Sequence, residues 1–412
     1  MNLELLIAGR LYGTRKGKRR ISRPAVAIAQ WGVAIGAIVM FVSICIITGF
    51  KQQIRDKITG FGGHIQVQNY EAYSDGKAPV TADTTLLAEL SATKGIMHVQ
   101  RYIQKPGMIV ANKEYEGIII KGIGEEYDLA FIKQNIVEGE IPQFSDSAAS
   151  NSIVISRSIA NRLKARINDR INIYFLNKGI KARRMSVVAI YETHLAELDN
   201  IMAFTDLYTA RRLNNWNDKQ VTAIEIAVND YREVNAVRDR TNQATAKAAE
   251  RNGESLYVPT IEEMYPSLFG WLEMLDQTVW IILVLVLCIA GFTMTSGLLI
   301  LILEKTSHIG ILKSIGARDL SIRKVFIYYA CFIVGKGLVA GNIIAAILCL
   351  LQQETGIIAL DPEMYYMDRV PIEFTWLLVP VNIGMFIISA AMLILPSTLI
   401  SRIEPTKAMK FD

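Results

Sequence analysis

The chain has 412 residues, 51% of them hydrophobic and 20% charged, a mixture of membrane-embedded and soluble material rather than either alone. Its net charge of +5 is unevenly spread: residues 1–23 carry seven Lys/Arg against the single acid Glu4, and a charge-free span follows at once. That pattern suits an anionic lipid surface better than a nucleic acid. All four cysteines, Cys45, Cys288, Cys331 and Cys349, fall in apolar spans, so no disulfide framework is implied.

In chain order, residues 1–23 read as a cytoplasmic amphipathic and basic segment, with Leu3, Leu6, Ile7 and Leu11 on one helical side. Residues 24–50 are 27 uncharged residues with no small-residue cleavage site after them, which predicts a retained first span rather than a removed signal. Residues 51–276 form a polar region of 226 residues, long enough for a core of its own. Strand-like runs begin at His64, Ile96, Gly107, Gly117, Ser152, Ile171, Arg184 and Thr222. Helical patterns cover 84–93, 156–164, 206–213 and 231–250, which predicts an α/β unit with a β-rich insert at about 106–205. A tight hairpin turn is expected at Asn177, Lys178 and Gly179. From Thr260 one helix is expected to run directly into the second span, 277–303.

That span breaks at Glu304 into a short polar segment, 304–324, where Ile311, Leu312 and Ile315 share one helical face. Ser307 is placed to cap its start, and Gly316 to end it in the left-handed conformation. By chemistry alone it is either a helix lying on the headgroups or a peg for a cytoplasmic partner. A third span covers 325–353, a loop 354–373 and a fourth span 374–401, where Pro380 and Pro396 mark kinks or ends, before the tail 402–412. The predicted fold is therefore an α-helical membrane protein with four spans and a large mixed α/β domain inserted between the first and second.

The amino-terminal flank, the 304–324 loop and the tail carry seven, five and three Lys/Arg, whereas the 354–373 loop has Arg369 against five acids. Both termini are thus expected in the cytoplasm, with the large domain on the outer side. The glycine pairs Gly32/Gly36 and Gly337/Gly341 have the spacing that lets helices approach closely. Lys336, within the third span, either faces a cavity or snorkels to the headgroups.

The sequence offers little catalytic chemistry. The four histidines, His64, His98, His194 and His308, are scattered singly, so no metal site is expected. The run GTRKGKR from Gly13 lacks the spacing and the Ser/Thr of a phosphate-binding loop, and no nucleophile elbow or HExxH occurs. The chain is expected to be a non-enzyme.

The stretches EKTSHIGILKSIGAR and PSTLISRIEPTKAMKFD resemble the coupling helix and carboxy-terminal signature of mechanotransmitting ABC transporter permeases, the MacB and FtsX superfamily. TGFKQQIRDKITGFGGHIQV, YETHLAELDNIMAFTDLYTARRL, IAGFTMTSGLLILILEK and LDPEMYYMDRVPIEFTW resemble, in the right order, the lipoprotein-releasing LolC/LolE permeases. The resemblance implies an inner-membrane permease that pairs with a second permease subunit, identical or paralogous, and with a cytoplasmic ABC ATPase. The ATPase would hold ATP and magnesium, this chain no cofactor. Acylated lipoproteins would be extracted from the outer leaflet of the inner membrane and passed to a periplasmic carrier, without nucleic acid.

By position, the resemblance assigns ATPase coupling to Glu304, Ile309, Leu312, Ile315, Gly316 and Ala317. It assigns a lipid-receiving cavity to Met40, Phe41, Ile44, Ile47, Phe50, Trp280 and Leu283, and carrier contact to a short hairpin at Asn177, Lys178, Gly179 and Ile180. His308 stands where the motif more often has an acid. Two alternatives stay open: a MacB-like exporter of small molecules or peptides, and an FtsX-like regulator of a periplasmic hydrolase.

Overall fold

The computed structural model describes residues 22–71, 78–176 and 179–392, with Glu4 and Ile394 as single positions. The amphipathic start, the hairpin residues Asn177 and Lys178, Pro396 and the tail 402–412 lie outside the described residues. The chain divides into two compact units: residues 52–270 with 360–368, and residues 1–51, 271–359 and 369–412.

The first unit is α/β. Its strands are β1 (Ile65–Asn69), β2 (Val80–Thr81), β3 (Ile96–Ala111), β4 (Glu114–Ile123), β5 (Ile136–Gly139), β6 (Ser152–Ser156), β7 (Arg170–Leu176), β8 (Ile180–Tyr191), β9 (Met202–Asp206), β10 (Gln220–Val221), β11 (Ala223–Val228) and β12 (Leu256–Tyr257). Apart from the small β10–β2 pair, they form one sheet in the order β12-β1-β11-β3-β4-β9-β6-β8-β5, with β7 joined to β3 and β8. Pairs β4–β9 and β6–β8 are parallel and the rest antiparallel.

Strand β3 corrects an expectation, because the runs from Ile96 and Gly107 are one 16-residue strand. The strand changes partner around Pro106: β11 pairs with it up to Tyr102, and β7 from Met108 to Val110. A proline, which cannot donate to a ladder, is tolerated where a strand is between partners on one edge. At Gly107 a Cβ would stand 2.8 Å from the Phe175 ring.

Two strands pass straight into helices through a side-chain cap. Ser156 accepts from the Ile159 amide ahead of the Arg157–Leu163 helix, and Asp206 from the Thr209 amide ahead of Leu207–Asn214. One core gathers Ile65, Val67, Leu86, Leu90, Ile224 and Val237, with helices Thr84–Ser91 and Val234–Asn252 contributing. A second gathers Ile109, Ile120, Ile155, Ile159, Phe175 and Val187. The predicted single helix from Thr260 is two: Thr260 and Glu263 form a reciprocal capping box on Ile261–Met264, and a new helix starts at Pro266. Proline at a first helical position loses no hydrogen bond there, but it closes off the turn before it.

The second unit is helical. Ser22–Gly62, Pro266–Glu304 and Asp319–Thr355 are the long helices, the first of which continues past the expected end at residue 50. Among the described residues, three helices are long and apolar enough to cross a membrane: Val26–Gly62, Pro266–Glu304 and Asp319–Thr355. The described part of the fourth, Leu378–Met392, has 15 residues and carries Pro380 in its first turn, where the missing N–H costs nothing. The expected glycine contacts are made. A Cβ on Gly341 would lie 2.5 Å from the Ala34 carbonyl oxygen and one on Gly337 2.8 Å from that of Gln30, so these backbones touch. Gly32 faces Thr293, and Gly36 faces Met385 and Val286. Asn342 donates to the Asn382 side-chain oxygen at 2.7 Å, a polar clasp between the last two helices.

Candidate functional site

The segment after Glu304 forms the helix Thr306–Ser314. Lys305 occupies the cap position without a side-chain bond, so Ser307 lies inside the helix and is not its cap. Its far end closes as expected on Gly316, at φ +94. The Gly316 amide donates to the Lys313 carbonyl and the Ala317 amide to that of Leu312, both at 3.0 Å, the paired bonds of a glycine-terminated helix. Lys313 pairs with Asp319 at 3.0 Å, fixing the short helix to the start of the next. Glu304 pairs with Lys305 at 3.6 Å.

The apolar side chains of this segment divide by side. Ile309, expected as an outward peg, is 1% exposed and packs in the unit's own core with Ile302, Ile322 and Val325. Leu312 is half-buried against the same core. Turned outward are Ile315, 78% exposed, and Ile311 one turn earlier, with Leu320 exposed beyond the bend. Helical periodicity marks an apolar side but does not say which stripe meets the chain's own bundle.

The expected lipid-cavity residues separate in the same way. Met40, Phe41 and Ile44 are buried in the helical core, Phe41 edge-on to Phe374 at 6.2 Å. Phe50 is edge-on to Trp271 at 6.5 Å, while Ile47 and Leu283 are half-buried. Of the seven, Trp280 is the openly exposed one, at 63%. Six of these residues are thus at least half-buried within the helical unit and one is open. The outward stripe of the first helix is Ile28, Trp31, Ile35 and Val39. An open groove of about 330 Å³ is lined by Ile28, Phe292, Thr293, Ser296, Gly297 and Ile300.

In the α/β unit, Ile180 opens β8 opposite Leu176 and is exposed, so the hairpin beginning there presents an apolar side chain beside Gly179. A second hairpin joins β3 to β4 through Asn112 and Lys113, both at positive φ, and exposes Tyr115.

The unit's interior also holds a charged network that the sequence reading missed. Lys121 of β4 donates to Glu225 of β11 at 2.5 Å, to the Tyr127 hydroxyl at 2.8 Å and to the Phe61 carbonyl near the end of the first helix. Gln100 donates to the other Glu225 oxygen at 2.8 Å, and the Tyr102 ring lies 4.5 Å from the ammonium. Burial pulls the Lys121 ammonium below its ordinary pKa while Glu225 opposes that shift, and burial pushes the Tyr102 and Tyr127 phenols well up. A lysine at a helix-end carbonyl also complements the helix dipole. The signal was present: a lone Lys in GIIIKGI and a lone Glu in TAIEIAV, each inside an otherwise apolar strand.

Residues 27–244 match the family model of the MacB-like periplasmic core domain, and residues 280–405 that of the FtsX-like permease C-terminal. The chain is 21% identical to the lipoprotein-releasing system transmembrane protein LolC of Neisseria meningitidis, over 92% of each chain. It is 20% identical to the corresponding LolE of Haemophilus influenzae, over 99% of each. The solved periplasmic region of MacB from Actinobacillus actinomycetemcomitans covers 51% of this chain and 95% of its own, at 14% identity and a TM-score of 0.36.

Proposed function

The chain belongs to the family of the MacB-like periplasmic core domain, and on that premise we propose that it is the permease subunit of an ATP-driven transporter releasing lipoproteins from the inner membrane. The observation that carries this reading is the end-to-end correspondence with relatives named as lipoprotein-releasing permeases, 92% and 99% of whose lengths are matched. The chain itself is non-catalytic and holds no cofactor; ATP and magnesium belong to a partner ATPase in the cytoplasm. It crosses the membrane four times, with both termini cytoplasmic and the α/β unit periplasmic. It works beside a second permease subunit, and a periplasmic carrier receives the acylated cargo.

Physical chemistry supports that division of labour. Three acyl chains bury roughly forty methylenes at about 0.8 kcal/mol each, on the order of 30 kcal/mol, so unaided escape into water is negligible. External work must reach the cargo from the cytoplasmic side. The Thr306–Ser314 helix, closed at Gly316 and Ala317 and tied by Lys313 to Asp319, is a stiff receiver for a push. Ile311, Ile315 and Leu320 supply the apolar surface that would seat in an ATPase groove, in place of Ile309.

Depleting the chain from cells tests the reading. Newly made outer-membrane lipoproteins should accumulate in the inner membrane and fail to transfer to the periplasmic carrier; release at the normal rate in depleted membranes would overturn it.

A further inference from the structure

Three stretches far apart in sequence converge on Lys57. Its ammonium donates to the Thr193 carbonyl and to the Tyr366 carbonyl, each at 2.6 Å. Lys57 lies near the end of the first helix, Thr193 follows β8, and Tyr366 belongs to the loop between the third and fourth helices. Residues 360–368 group with the α/β unit, although their neighbours Ala359 and Arg369 group with the helical one. That loop is held by more than one contact: Met367 is buried, and the His194 ring nitrogen lies 3.0 Å from the Asp368 carboxylate.

Both carbonyls stand beside unusual backbone. His194, which follows Thr193, has φ +59, and Tyr366 has φ +61. Left-handed conformation is unfavourable for side chains of this size and persists where surrounding contacts enforce it. Asp199 supplies one such contact, accepting from the Thr193 amide at 3.0 Å and its hydroxyl at 2.7 Å. The result is two peptide oxygens aimed at one cation.

We propose that Lys57 is a positioning residue for transport: it ties the 360–368 loop and the end of the first helix to the α/β unit, so that they move together during the ATPase cycle. This rests on the permease reading, in which work enters through the membrane helices. Three chain routes lead from those helices into the α/β unit, the first helix, the second helix and this loop, and Lys57 joins two of them. With the tie cut, the loop slips and part of the stroke is lost before it reaches cargo.

The test uses the full chain reconstituted with its co-purified ATPase. In Lys57→Met, hydrogen exchange across 360–368 should rise about tenfold relative to β3 and β4. ATP hydrolysis should stay within about twofold of wild type, while release of acylated lipoprotein falls about tenfold. Lys57→Arg should retain release. Bridging His194→Cys with Asp368→Cys by dibromobimane, in a Lys57→Met chain whose native cysteines are replaced by alanine, should restore it. Unchanged exchange in the loop, wild-type release by Lys57→Met, or a bridged chain that stays inactive would each overturn the tie. Should Lys57→Met fail to fold, Asp368→Asn gives the exchange readout, and an unaltered loop there overturns the proposal equally. Failure of the wild-type complex to release lipoprotein would instead sink the permease reading, and the exchange result would still decide the tie.

Discussion

The two units of this chain keep opposite things in their interiors. The α/β unit buries a full ion pair, Lys121 with Glu225, and surrounds it with amide, phenol and carbonyl partners. The helical unit puts glycine against backbone at Gly337 and Gly341, clasps its last two helices with the uncharged pair Asn342 and Asn382, and keeps an interhelical ion pair, Lys51 with Asp276, partly exposed. Its outside is apolar, with Trp31, Trp280 and Trp376 all exposed. In the α/β unit both charges of this buried pair are held in one arrangement by partners on several elements, which suits a body that must keep its shape. In the helical unit the closest contacts, at these glycines, are steric, which suits helices that shift against one another.

Cutting the ion pair should break that contrast most severely. Glu225→Leu leaves Lys121 buried without its carboxylate and should cost about 3–5 kcal/mol, read from exchange of the β3, β4 and β11 amides. The double change Lys121→Met with Glu225→Leu should recover most of the loss; a double variant no better than the single would show that the pair was not the cause.

Next in size is a pH effect confined to the α/β unit. Burial, with Arg55 adding to it, holds the His64 pKa down at about 4, below its ordinary 6.5, and His64 Nδ1 accepts from the Val228 amide. The folded state therefore binds the proton less readily than the unfolded one. Its contribution is complete above pH 6.5 and is lost as pH falls toward 4, by at most about 3 kcal/mol. His64→Gln should flatten that slope in a pH series of the same exchange measurement, while an unchanged slope would place its origin elsewhere.

The smallest effect sharpens the other side of the comparison. Gly341→Val would drive a side chain into the Ala34 carbonyl, and overpacking of this kind costs about 1–3 kcal/mol. The full chain in detergent should melt lower, with α/β exchange unaltered; an undisturbed melt would mean that the helices do not meet there.

Much of this architecture is legible along the chain. Ser156 and Asp206 announce their helices because a cap is a local event, and the glycine spacing announces a close helix contact. Local signals also lay unread: TIEE followed by Pro266 marks a helix that stops and restarts. The direction in which an apolar side chain turns has a different origin. Ile309, Met40 and Ile44 lie on apolar stripes, and which stripe faces inward depends on the other helices, not on the spacing. The convergence on Lys57 joins residues 136 and 309 positions away, for which no local pattern exists.

The central claim is that work done on the Ile311 and Ile315 surface is delivered to acylated cargo. Proteoliposomes holding the chain, its ATPase and a radiolabelled lipoprotein measure this directly, with the soluble carrier supplied outside. ATP should drive label onto the carrier, and Ile315→Asp should abolish that transfer while lipoprotein still binds. Transfer that proceeds undiminished in Ile315→Asp, or that needs no ATP, would contradict the account.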